Sequence, residues 1–199
     1  MAEVLVLSKS LPVGSKGRFP SGWWGMVTLI GTEAALFSYL FFSYYYLASH
    51  ALGPWPPQGA PKLSIAVPST LILIAGSLVM WWGERGIRRG EPRRLTLGLI
   101  ISILCALSFL VLESLEWKGQ PFTLRTSTYS SLYFLITGFH MLHVIVGVFI
   151  LTALTIWALL GYFDQERHSA VSIGSIYWHF VTFVWFGVFF TFYISTRLG

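Results

Sequence analysis

The sequence predicts an all-α, polytopic membrane protein: a bundle of five transmembrane helices, with the N-terminus cytoplasmic and the C-terminus outside. Three observations predict it. The composition is 55% hydrophobic and only 11% charged over 199 residues, with a mean hydropathy of +0.68, well beyond that of a soluble domain of this size. Five apolar segments are each long enough to cross a bilayer and are separated by Pro, Gly or charge. The basic residues divide unevenly between the two sets of loops that five spans create.

Residues 1–21 read as a polar cytoplasmic tail, with Lys9, Pro12, Gly14, Lys16, Arg18 and Pro20. Residues 22–199 read as a single membrane domain. The first span runs from Trp23 to about Ser49 and is broken only by Glu33 and small hydroxyl residues; Trp23 and Trp24 mark its interface. A Pro- and Gly-rich loop, HALGPWPPQGAPK, ends it. The second span begins near Leu63 or Pro68 and reaches Trp81 and Trp82. Next comes ERGIRRGEPRR, residues 84–94, with Arg85, Arg88, Arg89, Arg93 and Arg94 between two spans. The third span, Leu95 to Trp117, acquires Glu113 and Glu116 near its far end, where Gly119 and Pro121 stop it. The fourth, Tyr129 to Leu160, carries His140 and His143 within TGFHMLHVIVG. The fifth, Gly174 to Ile194, carries His179 near its start.

With five spans the termini face opposite sides. One side holds nine Lys and Arg residues, the other only Lys62, Lys118, Arg125 and Arg197. The positive-inside rule therefore assigns the N-terminus to the cytoplasm, and the net charge of +5 is explained without nucleic acid. The lone Cys105 excludes an intrachain disulfide and any cluster of cysteine ligands.

Ionisable groups inside a span need partners or a purpose. At about 1.5 Å of rise per residue, Glu33 lies roughly 15 Å deep, with His179 slightly shallower near the same face. Glu33 is therefore expected to meet His179 or His143, and Glu113 or Glu116 to meet His140. Each of the pairs Glu113/Glu116 and His140/His143 is three residues apart and shares a helix face. Axial haem ligation would need His140 or His143 with His179 at matched depth, which the spacing gives poorly. A di-metal carboxylate site wants Glu-x-x-His on one helix, whereas here Glu-x-x-Glu and His-x-x-His lie on different helices. Two readings remain open: hydrogen-bonded Glu–His pairs that lock helix register, the simpler one, and a proton relay through the same groups. The arginine-rich segment suits topology first, then docking of anionic lipid headgroups or a partner. No nucleophilic triad, phosphate loop or dinucleotide fingerprint is present.

Four motifs resemble, in order, the subunit III family of haem-copper oxidases. WWGMVTLIGTEAALFSYLFFSYY is similar to the helix with a Trp-Gly-Met start and a buried Ser-Glu motif, with Thr32 in place of Ser and Glu33 as the carboxylate. LESLEWKG resembles a helix end whose Glu-Tyr pair falls on Glu116 and Trp117. TGFHMLHVIVG resembles Thr-Gly-Phe-His-x-x-His-Val. YWHFVTFVWFGVFF resembles the last helix, with Thr182 where Asp is common. The likeness covers residues 22–197. It implies the five-helix form of a non-catalytic subunit that binds no cofactor of its own, with haem and copper in partner subunits I and II. It also implies direct contact with subunit I, structural phospholipids in a cleft, and support of proton uptake or oxygen access. The complex would be a respiratory oxidase of a bacterial inner membrane, fed by cytochrome c or quinol. A haem-b or quinone-binding membrane anchor is the alternative from another class.

Overall fold

Helix formation is nearly obligatory for these segments, because a backbone amide inside hydrocarbon must find its partner within the segment. The structure, a computed structural model, describes residues 21–198. These fold into five long helices: α1 (Ser21–Ser49), α2 (Leu63–Ile87), α3 (Pro92–Gly119), α4 (Thr128–Leu159) and α5 (Ser169–Phe189). The fifth span continues through a π-helical turn, Phe190–Ile194, into a short α6 (Ser195–Leu198). All five spans, the last counted as Ser169–Leu198, are long and apolar enough to cross a membrane. The proposed cytoplasmic tail, apart from Ser21, lies outside the described residues.

The helix ends follow from local chemistry. Gly90, with φ of +80°, takes the left-handed position that ends α2, and the Glu91 amide reaches back to the Gly86 carbonyl at 3.0 Å. Pro92 then opens α3 at its first turn, where its missing N–H costs nothing. Ser127 caps α4 reciprocally: its hydroxyl accepts from the Ser130 amide at 3.2 Å, and the Ser130 hydroxyl accepts from the Ser127 amide at 2.8 Å.

The segment 84–94 is not one loop. Arg85 belongs to the last turn of α2, and Arg93 and Arg94 to the first turn of α3, so only residues 88–91 connect the two. The helix outlasts the Trp81–Trp82 interface because these side chains lie along the indoles: Arg85 stands 3.7 Å from the Trp81 ring centre and Arg94 4.5 Å from that of Trp82. Similarly, α5 begins five residues before Gly174, at Ser169.

The closest helix pair is α2 with α3. A Cβ placed on Gly98 would stand 2.9 Å from the Gly83 Cα, so two glycines facing each other let the backbones touch. The Ser102 hydroxyl, which also bonds its own helix, donates across to the Gly76 carbonyl at 2.9 Å. The deepest side chains come from α5, which contacts α1, α2 and α4. Trp178 and Trp185 are fully buried there, Trp178 against Gly147 of α4 and Trp185 edge-on to Phe109 of α3. By contrast α1 buries only Phe37, Leu40 and Tyr44 and leaves most of its aromatic surface outward.

Candidate functional site

Three groups of hydrogen-bonded polar side chains link the spans, and His140 stands apart from them. Below, the N-terminal face is the one on which α1 begins, and the C-terminal face the opposite one.

The first group joins α1 to α4. His143 Nε2 lies 2.9 Å from Glu33 Oε2, and His143 Nδ1 lies 2.6 Å from the Phe139 carbonyl. A carbonyl only accepts, so Nδ1 carries a hydrogen and the tautomer is fixed. Nε2 is then either the acceptor of a proton from the Glu33 carboxyl or, on an imidazolium, its donor. One transferable proton thus lies between the two groups. Phe37 packs edge-on against the imidazole, and the Tyr177 hydroxyl donates to the His143 carbonyl at 3.3 Å. The Glu33 side chain stays 28% exposed, against 11% for His143, so the pair sits at the margin of the bundle rather than at its centre.

The second group runs inward from the N-terminal face between α2 and α5. Arg88 pairs with Glu84 at 2.5 Å, and Glu84 accepts from the Ser172 hydroxyl at 2.8 Å. Deeper, His179 is held between Ser77, 2.7 Å from Nδ1, and Ser175, 3.1 Å from Nε2. Ser172, Ser175 and His179 fall at i, i+3 and i+7 on α5, and therefore on one face.

The third group lies near the C-terminal face. The Tyr193 hydroxyl, placed by the π-helical turn, donates to Glu116 Oε1, and Tyr133 stands 3.5 Å from that hydroxyl. Gln120 Nε2 donates to the Tyr133 hydroxyl at 3.2 Å, and Trp117 Nε1 to the Thr137 hydroxyl at 3.1 Å. Glu113 is fully buried, with no hydrogen-bond partner for either oxygen among the described residues.

Of the expected pairings, Glu33 meets His143 and not His179. Depth suits both, but His179 turns toward Ser77 of α2, and depth alone does not fix azimuth. Neither Glu113 nor Glu116 meets His140. His140 stands twelve positions after Thr128, which begins α4, whereas Glu116 stands three before Gly119, which ends α3, so they differ in depth by roughly 14 Å. His140 Nε2 instead donates to the Val181 carbonyl at 3.1 Å, with Phe109 and Trp185 against its ring. The residues that complete these groups, Tyr193, Tyr133, Ser77, Ser175 and Glu84, do not stand out in the sequence as site residues. The serine spacing on α5 is a readable signal; the tyrosines resemble ordinary aromatic filling.

The histidines fit axial haem ligation badly. His143 and His179 each have both ring nitrogens engaged by protein groups, and His140 gives Nε2 to a backbone carbonyl on α5. No group of three or more His, Cys, Asp and Glu suited to a metal ion occurs among the described residues. Of the arginines, Arg88 and Arg94 are paired with Glu84 and Glu91, while Arg89 and Arg93 are exposed and have no side-chain partner among the described residues.

These features define a class: an integral, multi-pass helical membrane protein whose intramembrane imidazoles are held by hydrogen bonds between helices. The chain belongs to the cytochrome c oxidase subunit III family, whose pattern it matches over residues 20–197. It is 33% identical over 177 residues to cytochrome c oxidase subunit 3 of Arabidopsis thaliana, covering 85% of this chain and 67% of that protein. It is 31% identical to the subunit 3 of Cyprinus carpio and 32% to that of Homo sapiens, each over 169 residues, or 81% of this chain and 65% of the relative. The chain spans about two thirds of the length of the curated relatives it matches.

Proposed function

We propose that this chain is the non-catalytic subunit III of a respiratory haem-copper terminal oxidase. The complex would carry electrons from cytochrome c or quinol to oxygen and pump protons, with haem and copper held by partner subunits I and II. The observation that carries this reading is the family match over residues 20–197, which takes in all five spans. Direct contact with subunit I, and further contacts with subunit II and other subunits of the respiratory complex, follow from that placement. We place the protein in a bacterial inner membrane with its N-terminus cytoplasmic, on the nine-to-four division of basic residues.

Glu33 and His143 support a role beyond scaffolding. Their shared proton, at the half-open margin of α1, suits a group that exchanges protons as well as one that pins α1 to α4. Phospholipids are proposed along the sparsely covered surface of α1, with Arg89 and Arg93 offering unpaired guanidinium groups to phosphate headgroups on the N-terminal face.

The test is affinity purification of the tagged full-length chain from its native membranes in mild detergent, with mass spectrometry of its companions. Recovery with a haem-copper subunit in fixed ratio is the expected result. Recovery with a different redox enzyme, or alone, overturns the reading.

A further inference from the structure

The two faces of the bundle differ in how their charges are matched. On the N-terminal face three carboxylates, Glu84, Glu91 and Asp164, are each paired with an arginine. On the C-terminal face, residues 50–62, 118–127 and 190–199 contain no Asp or Glu. They contain Lys62, Lys118, Arg125 and Arg197. The Arg197 guanidinium is committed to the carbonyls of Tyr193 and Pro61. The other three cations are exposed, and none has a side-chain partner among the described residues.

On this face residues 58–62 and 119–122 border a cavity of about 350 Å³, with Lys62 on its wall. Lys118 directly precedes the wall residue Gly119, and Arg125 stands three positions after Phe122. One water takes about 30 Å³ of the liquid, so the cavity admits a whole side chain. The Gln58 amide and the Ser64 hydroxyl also line it and add hydrogen-bond donors. Glu116 reaches the wall, but its Oε1 is held by the Tyr193 hydroxyl and its Oε2 is buried, so it offers the cavity no free oxygen. Both bordering loops are held in place. Arg197 ties Pro61 to the end of the fifth span, and Gln120 Nε2 donates to the Tyr133 hydroxyl at 3.2 Å. Across the turn that carries Arg125, the Thr123 amide donates to the Thr126 hydroxyl at 2.9 Å. A surface already ordered in this way loses little freedom when a partner docks.

We propose that the C-terminal face docks an acidic segment of a partner protein, and that the cavity takes one Asp or Glu side chain of that segment onto the Lys62 ammonium. The Ser64 hydroxyl and the Gln58 amide are the neutral donors to that carboxylate, and Lys118 and Arg125 meet further acidic residues beside it. Complementary charge of this kind selects the partner and fixes its register. A peptide suits the surface better than a lipid does. Acyl chains would leave the amide and hydroxyl groups of the cavity unsatisfied, whereas a peptide brings carboxylates to several points at once. The inference goes beyond the oxidase reading, because it names the chemistry of the docking segment and uses no partner's identity.

The test is lysine footprinting of the purified native complex, in which acetylation by an amine-reactive ester is read by mass spectrometry and compared with the same chain separated from its partners. Lys62 and Lys118 should react more slowly in the complex, Lys62 by roughly thirtyfold, as for one half of a buried charge pair. A zero-length carbodiimide should then join the Lys62 amine to an Asp or Glu carboxyl of a companion chain as an amide, the carbodiimide leaving as its urea. Lys62→Glu should return Lys118 to the rate seen in the separated chain. The separated chain in nanodiscs of phosphatidylcholine or of phosphatidylglycerol should show no protection. Protection by phosphatidylglycerol without any protein partner overturns the proposal in favour of an anionic lipid. It is also overturned if Lys62 reacts as fast in the complex as in the separated chain, or if no protein carboxyl is joined to it. Footprint and cross-link are read on the wild-type chain, so they decide even where Lys62→Glu does not fold. Which enzyme co-purifies decides the oxidase reading; whether Lys62 is covered decides this one.

Discussion

A buried histidine in a membrane helix is defined by what each ring nitrogen meets, and here three histidines meet three different kinds of partner. His143 bridges a carboxylate and a carbonyl, His179 two serines, and His140 a carbonyl on α5. From these partners two outcomes follow. Glu33→Ala removes the shared proton but little apolar contact, so the oxidase should assemble normally yet lose activity faster during turnover; inactivation kinetics identical to those of the wild type would exclude a functional role. His140→Leu keeps volume but leaves the Val181 carbonyl one donor short, which should cost about 1 kcal/mol in reversible unfolding. Pairing was legible in the sequence only as far as depth reaches. Counting helical rise brought Glu33 near both His143 and His179, and azimuth, set by how α5 rotates against α2, decided between them. Glu116 shows the opposite failure, because its partner Tyr193 depends on a π-helical turn that no residue in FTFYI announces.

At the scale of elements, the five spans were readable because hydrocarbon imposes length and apolarity together. Their ends were less so. The arginines at 85, 93 and 94 read as loop, yet Arg85 and Arg94 run along Trp81 and Trp82 and let both helices extend past the aromatic interface. The α2–α3 contact makes a sharp prediction. Gly98→Leu drives a side chain into the Gly83 backbone, and such overpacking should cost about 1–3 kcal/mol and splay the hairpin, measurable as a lower unfolding midpoint. The loop between α4 and α5 has a pH-dependent element of its own. Partial burial would raise the Asp164 carboxyl, but hydrogen bonds from the Arg167 side chain and the amides of Arg167 and Glu166 outweigh it and hold the carboxyl below the usual carboxylate range. Because the folded value is depressed, this contribution is complete above the unfolded carboxylate value and is lost as pH falls through the folded one. Asp164→Asn should therefore flatten any acid-side loosening of the loop followed by hydrogen exchange; an unchanged acid limb would show that the cap contributes nothing.

For the molecule as a whole, the five spans among the described residues place Ser21 and Leu198 at opposite faces of the bundle. A C-terminal tag should therefore be reached by an impermeant reagent from outside intact cells, with an N-terminal tag protected; the reverse pattern would contradict the charge-based orientation. The bundle joins a tight α2–α3 hairpin and a central α5 to a loosely covered α1, with the Glu33–His143 pair at its margin and His140 fully buried within it. The central claim, that redox cofactors belong to the partners and not to this chain, is tested most directly by dissociating the purified complex in a stronger detergent and recording the haem spectrum of each fraction. All haem should follow the large partner, leaving this chain colourless and folded; a stoichiometric b-type spectrum retained by this chain alone would contradict the account.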